Sequence, residues 1–149
     1  MEERIVAYDD RYKEGVFAFT DRCFRELGKA FEPEGRHSFY NDIGNEFDSF
    51  WCLLSGVDVI GTVALRRLDG KTAELKSLYL LEGYRGHGLG YRLLDTAVTS
   101  ARQAGYGRVV LDSMSGYAAA LRLYGSYGFR RTERFNDNRH ADVFMELKF

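Results

Sequence analysis

The stretch from Thr72 to Ala101 constrains this chain more than any other part of it. An apolar, strand-like run from Thr72 to Leu80 leads into Arg85-Gly86-His87-Gly88-Leu89-Gly90, and from there Leu89, Leu93, Leu94, Ala97, Val98 and Ala101 recur at helical spacing. A glycine-rich turn between a strand end and a helix start has a definite chemical property. The glycines let the backbone pass close to a ligand with no Cβ in the way, and the free amides of the first helical turn point outward at the positive end of the helix dipole. Such a nest holds an anion, and a pyrophosphate fits it. Arg85, His87 and Arg92 can add side-chain donors, with Arg85 best placed at the mouth of the turn. Taken alone, three alternating glycines are equally compatible with a tight turn that binds nothing.

The flanking sequence supplies the context. Arg4 to Tyr8 reads as a first strand, with Asp9 or Asp10 able to cap the helix after it. In that helix Val16, Thr20, Cys23, Phe24, Leu27 and Phe31 form one apolar stripe. The stretch from Glu32 to Gly44, which holds the only proline, reads as a loop with a short helix around Phe39. Three strands follow, Phe50 to Leu54, Val59 to Arg67 and Thr72 to Leu80, separated by the hairpin signals Ser55-Gly56 and Asp69-Gly70. After the glycine turn and its helix, which closes near Gly105, come a strand at Arg108 to Asp112, a helix at Ala118 to Tyr127, and final strands at Phe129 to Phe135 and Val143 to Phe149. The order predicts a mixed α/β domain, and 149 residues with 45% hydrophobic content suit a single domain spanning residues 1 to 149.

Composition excludes several classes. A net charge of -1, from 21 basic and 22 acidic residues, gives no global field for a nucleic acid or an anionic membrane. The start MEERIVAYDD has no signal-peptide features and no apolar run approaches spanning length, so a cytoplasmic protein is expected. Cys23 and Cys52 fall in apolar patterns and read as buried thiols. His37 and His140 make no metal-ligand spacing with each other or with the cysteines, so no metal is expected. The chain lacks the Walker string G-x-x-x-x-G-K-S/T, and its G-x-G-x-G spacing after a meander departs from the dinucleotide fingerprint G-x-G-x-x-G.

Two segments carry a resemblance. LKSLYLLEGYRGHGLGYRLL, Leu75 to Leu94, and LYGSYGF, Leu123 to Phe129, resemble the GNAT N-acetyltransferase superfamily. Arg85, Gly88 and Gly90 match its central motif, which is Arg or Gln, two residues, Gly, one residue, then Gly or Ala. Ala120, Leu123, Tyr124, Gly128 and Phe129 match its later A-x-x-L-Y-x-x-x-G-F motif. The resemblance implies a GNAT fold: a central, mostly antiparallel sheet with splayed central strands, flanked by helices. It implies acetyl-CoA as acyl donor and an amine acceptor that attacks the thioester directly, with no metal. The acceptor stays open among a small amine, an amino acid and a protein or peptide amine, and a monomer or homodimer is expected.

By the same resemblance, Arg85, Gly86, His87, Gly88, Leu89, Gly90 and Tyr91 hold the cofactor's phosphates, and backbone groups at Leu78 and Leu80 hold its pantetheine arm and thioester carbonyl. On spacing alone Tyr124 reads as a core tyrosine, and it is the L-Y-x-x-x-G-F context that implies it as the general acid at the sulfur. Glu74 is either a general base or a strand carboxylate paired with Lys71 or Lys76. His87 contacts phosphate or is simply exposed. Tyr117 stands where the family often has an asparagine, and Ser113 or Ser115 can replace the lost contact. In this fold the acceptor pocket is expected from the loop after the first helix, where Glu32, Glu34, Asp42 and Glu46 stand with several aromatic rings, and from the closing hairpin at Phe135-Asn136-Asp137-Asn138. Such carboxylates and rings suit a cationic amine. A non-catalytic acetyl-CoA-binding module is the alternative, and a nucleotide-binding domain a third reading.

Overall fold

Residues 2–149 are described by the computed structural model. Strand β1 (Glu3–Ala7) is followed by a 3-10 turn whose cap is Asp9, its carboxylate accepting the Arg11 amide at 3.0 Å. This turn feeds α1 (Lys13–Glu26), which buries Val16, Phe19, Thr20, Cys23 and Phe24. The helix stops at a Schellman closure: the Lys29 amide donates to the Phe24 carbonyl at 2.9 Å, the Gly28 amide to Arg25 at 3.1 Å, and Gly28 takes φ +76°. Phe31, expected to continue the helical stripe, therefore lies beyond the helix. It folds back edge-on against Phe17 and Phe24, at centroid distances of 5.4 and 5.8 Å. The expected short helix around Phe39 is a 3-10 turn, Ser38–Asp42, followed by α2 (Ile43–Glu46).

The meander is β2 (Ser49–Ser55), β3 (Asp58–Arg67) and β4 (Thr72–Leu80). Then come α3 (Leu89–Gln103), β5 (Arg108–Ser113), α4 (Ala118–Tyr127), β6 (Arg130–Arg131) and β7 (Val143–Lys148). All strands join one sheet in the order β1-β2-β3-β4-β5-β7-β6. Every neighbouring pair is antiparallel except β4 and β5, where the α3 crossover makes the strands parallel. Helix α3 buries Leu89, Leu93, Leu94, Ala97, Val98 and Ala101, its apolar stripe. Gly61 of β3 makes room for it: a Cβ there would lie 3.0 Å from Leu93 Cδ1 and 3.1 Å from the Tyr79 carbonyl oxygen.

Two irregularities shape the sheet's centre. The parallel pairing covers only Thr72 to Glu74 against Arg108 to Val110, after which β4 and β5 diverge. β5 stays paired to β7 through Ser113, so the gap opens on its β4 side. The second irregularity is a bulge in β4. Ala64 opposes Lys76 and Thr62 opposes Tyr79, so Ser77 and Leu78 together face Val63. Ser77 adopts φ +53°, the only non-glycine residue with positive φ among those described. Such a conformation costs on the order of 1–3 kcal/mol unless surrounding structure enforces it.

The closing strands differ from expectation. Of Phe129 to Phe135, only Arg130 and Arg131 pair with β7, plus one further bond from the Thr132 amide to the Phe144 carbonyl. Beyond that the chain turns away, because the Arg134 guanidinium collects the carbonyls of Asn136, Asn138 and Ala141 at 3.4, 3.0 and 3.1 Å and packs over the Phe144 ring. Those bonds fix a loop, and the loop reaches the gap between β4 and β5.

Candidate active site

The amides ahead of α3 form the first part of the site. Gly86 and Gly88 have φ of +83° and +77°, conformations that L side chains rarely adopt, and neither would place a Cβ within 4 Å of another atom. The left-handed Gly88 is the N-cap of α3 and has no side chain to cap it. Its carbonyl accepts the Arg92 amide at 3.1 Å, whereas the amides from Gly86 through Tyr91 meet no acceptor among the described residues. Successive unspent donors at the positive end of a 15-residue helix have the chemistry to hold an anion. Arg85 and His87 are exposed at its rim. Arg92 points elsewhere, to the Glu3 carbonyl at 3.4 Å. Tyr91 is half exposed and lies 5.4 Å from the Tyr127 ring, whose hydroxyl donates to Asp95 at 2.7 Å.

The diverging strands form the second part. From Leu75 to Leu80, β4 has no strand partner on its β5 side, so its backbone there, Leu78 and Leu80 included, is open to a ligand. The bulge holds its shape through two contacts on Ser77: its carbonyl accepts the Thr62 hydroxyl at 2.7 Å, and its hydroxyl meets Tyr40 Oη at 2.9 Å. The buried Cys23 thiol donates weakly to the Leu80 carbonyl at 3.8 Å.

At the closed end of the gap sits a polar cluster. Glu74, the last paired residue of β4, is only 4% exposed, and its Oε2 lies 3.0 Å from Lys76 Nζ. It also accepts the Asn136 amide nitrogen at 3.3 Å. The same nitrogen donates to Asp112 Oδ2 of β5 at 2.7 Å, and Asn138 Nδ2 reaches that oxygen at 3.2 Å. One asparagine thus bridges carboxylates on the two strands that part. The expected pairing of Glu74 with Lys76 is present, and no motif of the sequence points to Asp112.

Tyr124 is the one buried residue of α4. It is 6% exposed and packs on Phe129 at 6.0 Å between ring centroids. Burial, with Asp112 nearby, pushes its phenol well above the usual tyrosine range. Tyr79 on β4 is raised in turn by burial, with Tyr40, Tyr117 and Tyr124 adding to the effect. Ser115 donates its amide and its hydroxyl to Asp142, each at 2.7 Å, which leaves its hydroxyl oxygen as the group open to a ligand. The loop carboxylates are dispersed: Glu32 pairs with Arg36, Glu46 with Arg66, and Asp42 accepts Asn45. A cavity of about 630 Å³, lined by Asp69, Lys71, Arg108 and Phe149 among others, lies at the Thr72 end of β4, away from the amide nest.

An anion nest at a helix start, beside parallel strands that part over a tyrosine and a carboxylate, is the architecture of an acetyl-CoA-dependent N-acyltransferase. The pattern of the Acetyltransferase (GNAT) family matches residues 14–129, and the chain belongs to that family. It is 32% identical to the uncharacterized N-acetyltransferase YsnE of Bacillus subtilis over 148 residues, 96% of this chain and 98% of that one. Its fold matches a GNAT-family acetyltransferase of Staphylococcus aureus at TM-score 0.88, with 21% identity over 99% of both chains. It also matches yncA, a putative acetyltransferase of Salmonella typhimurium solved with its cofactor acetyl-CoA, at TM-score 0.76 and 20% identity over 99% of this chain and 94% of that one.

Proposed function

We propose that the protein transfers the acetyl group of acetyl-CoA to a primary amine by direct attack, with the thioester lying in the gap between β4 and β5. The observation that carries this reading is the unpaired edge of β4, which runs from the amide nest to the Glu74–Asn136–Asp112 cluster. The chain's own groups fit the donor at both ends. The unspent amides from Gly86 to Tyr91, with Arg85 and His87 at the rim, suit its pyrophosphate, and the open backbone at Leu78 and Leu80 suits its extended arm. Ser115 lies on the loop that leads from β5 into α4. When bound, acetyl-CoA supplies an acetyl group activated by a thiol leaving group.

The residues divide the remaining work. An attacking amine must be neutral, and Glu74 is the carboxylate at the closed end of the gap that can take its proton, directly or through water. Bonding to Asn136 and Lys76 fixes its position. The amide of Leu78, turned by the bulge at Ser77, is the donor for the carbonyl oxygen as charge develops there. Tyr124 keeps its proton at any physiological pH, because burial raises its phenol. Being a weaker acid than a thiol, whose ordinary pKa is about 8.5, it stabilises the departing sulfur as a hydrogen-bond donor more readily than it gives up its proton. The two free, buried cysteines suit a reducing cytosol.

Coenzyme A release, measured with acetyl-CoA and a panel of amines, tests the reading on wild type and Tyr124→Phe. Amine-dependent release that falls about 10²-fold in the variant is expected. Tight acetyl-CoA binding with no turnover for any acceptor would instead favour a non-catalytic cofactor-binding module.

A further inference from the structure

Just past the end of α1, Lys29 stands in a cage of three rings. Its Nζ is 4.1 Å from the centroid of Phe24, 5.1 Å from that of Tyr79 and 6.0 Å from that of Tyr117. Its one hydrogen bond goes to Tyr79 Oη at 3.2 Å. An ammonium has three donors. No carboxylate comes within 4.0 Å of this one among the described residues, although α1 itself carries ion pairs at Arg22–Glu26 and Arg25–Asp21. The Schellman closure and Gly28 put Lys29 there, since the chain reverses at Gly28 and lays the lysine over Phe24 one turn back.

Two of the three rings belong to the walls of the proposed site. Tyr79 lies between Leu78 and Leu80 on the open edge of β4, and Tyr117 is the N-cap residue of α4, the helix that carries Tyr124. Burial and the neighbouring Arg36 both work against the Lys29 charge, lowering its pKa. Cation–π attraction offsets part of that cost. A half-buried cation with two unspent donors and a second cation nearby is completed by an anion, and the chain supplies none. The closed end of the gap has the opposite character, with Glu74 and Asp112 gathered around Asn136.

We infer that Lys29 recognises the carboxylate of the acceptor, and that the acceptor is an amine that also bears a carboxylate, of amino-acid type, its amino group directed toward Glu74. The assignment rests on the acetyl-transfer reading above. It narrows the expected cationic amine to one that also carries a carboxylate, because the loop acids are paired or exposed while Lys29 has no carboxylate partner among the described residues. A diamine would bring a second positive charge against Lys29 and Arg36.

The test uses matched acceptors, α- and ω-amino acids against their carboxamides and the corresponding simple amines. Each is assayed for kcat/KM and, with coenzyme A present, for Kd by calorimetry. Lys29→Met keeps length and apolar bulk inside the ring cage while removing the charge, and Lys29→Arg keeps the charge. Wild type should favour the acid over its amide by about 10-fold or more in both measurements, the usual worth of a hydrogen bond to a charged group. Lys29→Met should bring that ratio close to one, and Lys29→Arg should retain part of it. A wild-type preference for the amides or simple amines overturns the assignment, as does an acid-to-amide ratio that Lys29→Met leaves intact. If no acceptor releases coenzyme A, the acetyl-transfer reading fails, and the Kd ratios alone still decide whether Lys29 binds carboxylate.

Discussion

Tyr40 Oη lies 2.9 Å from Ser77 Oγ, so a buried tyrosine from the loop after α1 holds the one strained residue of β4. Together with the Thr62 hydroxyl on the Ser77 carbonyl, this contact holds the bulge at Ser77 and Leu78. Tyr40→Phe should keep the packing and lose the bond, costing about 1 kcal/mol of stability. In the proposed mechanism kcat should fall several-fold with less change in KM for acetyl-CoA. Steady-state kinetics and urea unfolding check both, and the kinetic effect should vanish in a Ser77→Ala background if Tyr40 acts through Ser77.

The nest makes a sharper forecast, because two of its glycines differ in kind. Gly88 is left-handed, so Gly88→Ala carries a conformational penalty of about 1–2 kcal/mol although nothing crowds its side chain. Gly90 has no positive φ, and a Cβ there would meet Leu123 Cδ2 at an ordinary 3.4 Å. Gly90→Ala should therefore leave the melting temperature nearly unchanged. Both variants should weaken acetyl-CoA binding, measured by calorimetry, through encroachment on the phosphates.

These two sites mark how far the sequence could be read. The nest, α3 and α4 are local features: alternating glycines, a helical stripe and a ten-residue helix legible within a few turns of chain. Cys23 and Cys52 are buried and free, as their apolar surroundings implied. The meeting of Glu74, Asp112 and Asn136 joins residues up to 62 positions apart through a strand divergence and an arginine-tied loop. No local pattern encodes that meeting. Phe31 continues the spacing of the α1 stripe, but Gly28 ends the helix before it, and the same reversal, which no periodicity encodes, lays Lys29 over Phe24. The expected strand Phe129 to Phe135 shrank to two residues because Arg134 spends its donors on its own loop.

Glu74→Gln is close to isosteric, and the Asn136 amide can still reach a side-chain oxygen there. If Glu74 takes the amine proton, kcat should fall by about 10² to 10⁴ with acetyl-CoA affinity retained. Asn136→Ala should lower kcat less, by loosening both carboxylates at once. Parallel kinetics and calorimetry separate the two effects.

Alkaline stability follows from the buried thiols. Burial pushes Cys52 from 9.0 up to about 12 and Cys23, with Glu26 adding to the effect, up to about 11. The folded state therefore holds these protons where the unfolded chain has released them. Their contribution is fully present below pH 9 and is lost as pH rises through the folded-state values, at about 1.4 kcal/mol per pH unit for each thiol. Melting temperature should decline from pH 9 upward, and Cys52→Val should flatten that decline.

The central claim is that the donor's phosphates lie on the amides ahead of α3 and its thioester between β4 and β5. An amide-resolved NMR titration of wild-type protein with acetyl-CoA tests it directly. Saturable shifts should concentrate at Gly86 through Tyr91 and at Leu78 and Leu80, and neither ATP nor NAD should reproduce them at the same concentration. Shifts confined to other surfaces, or tighter binding of ATP or NAD at these same amides, would contradict the account.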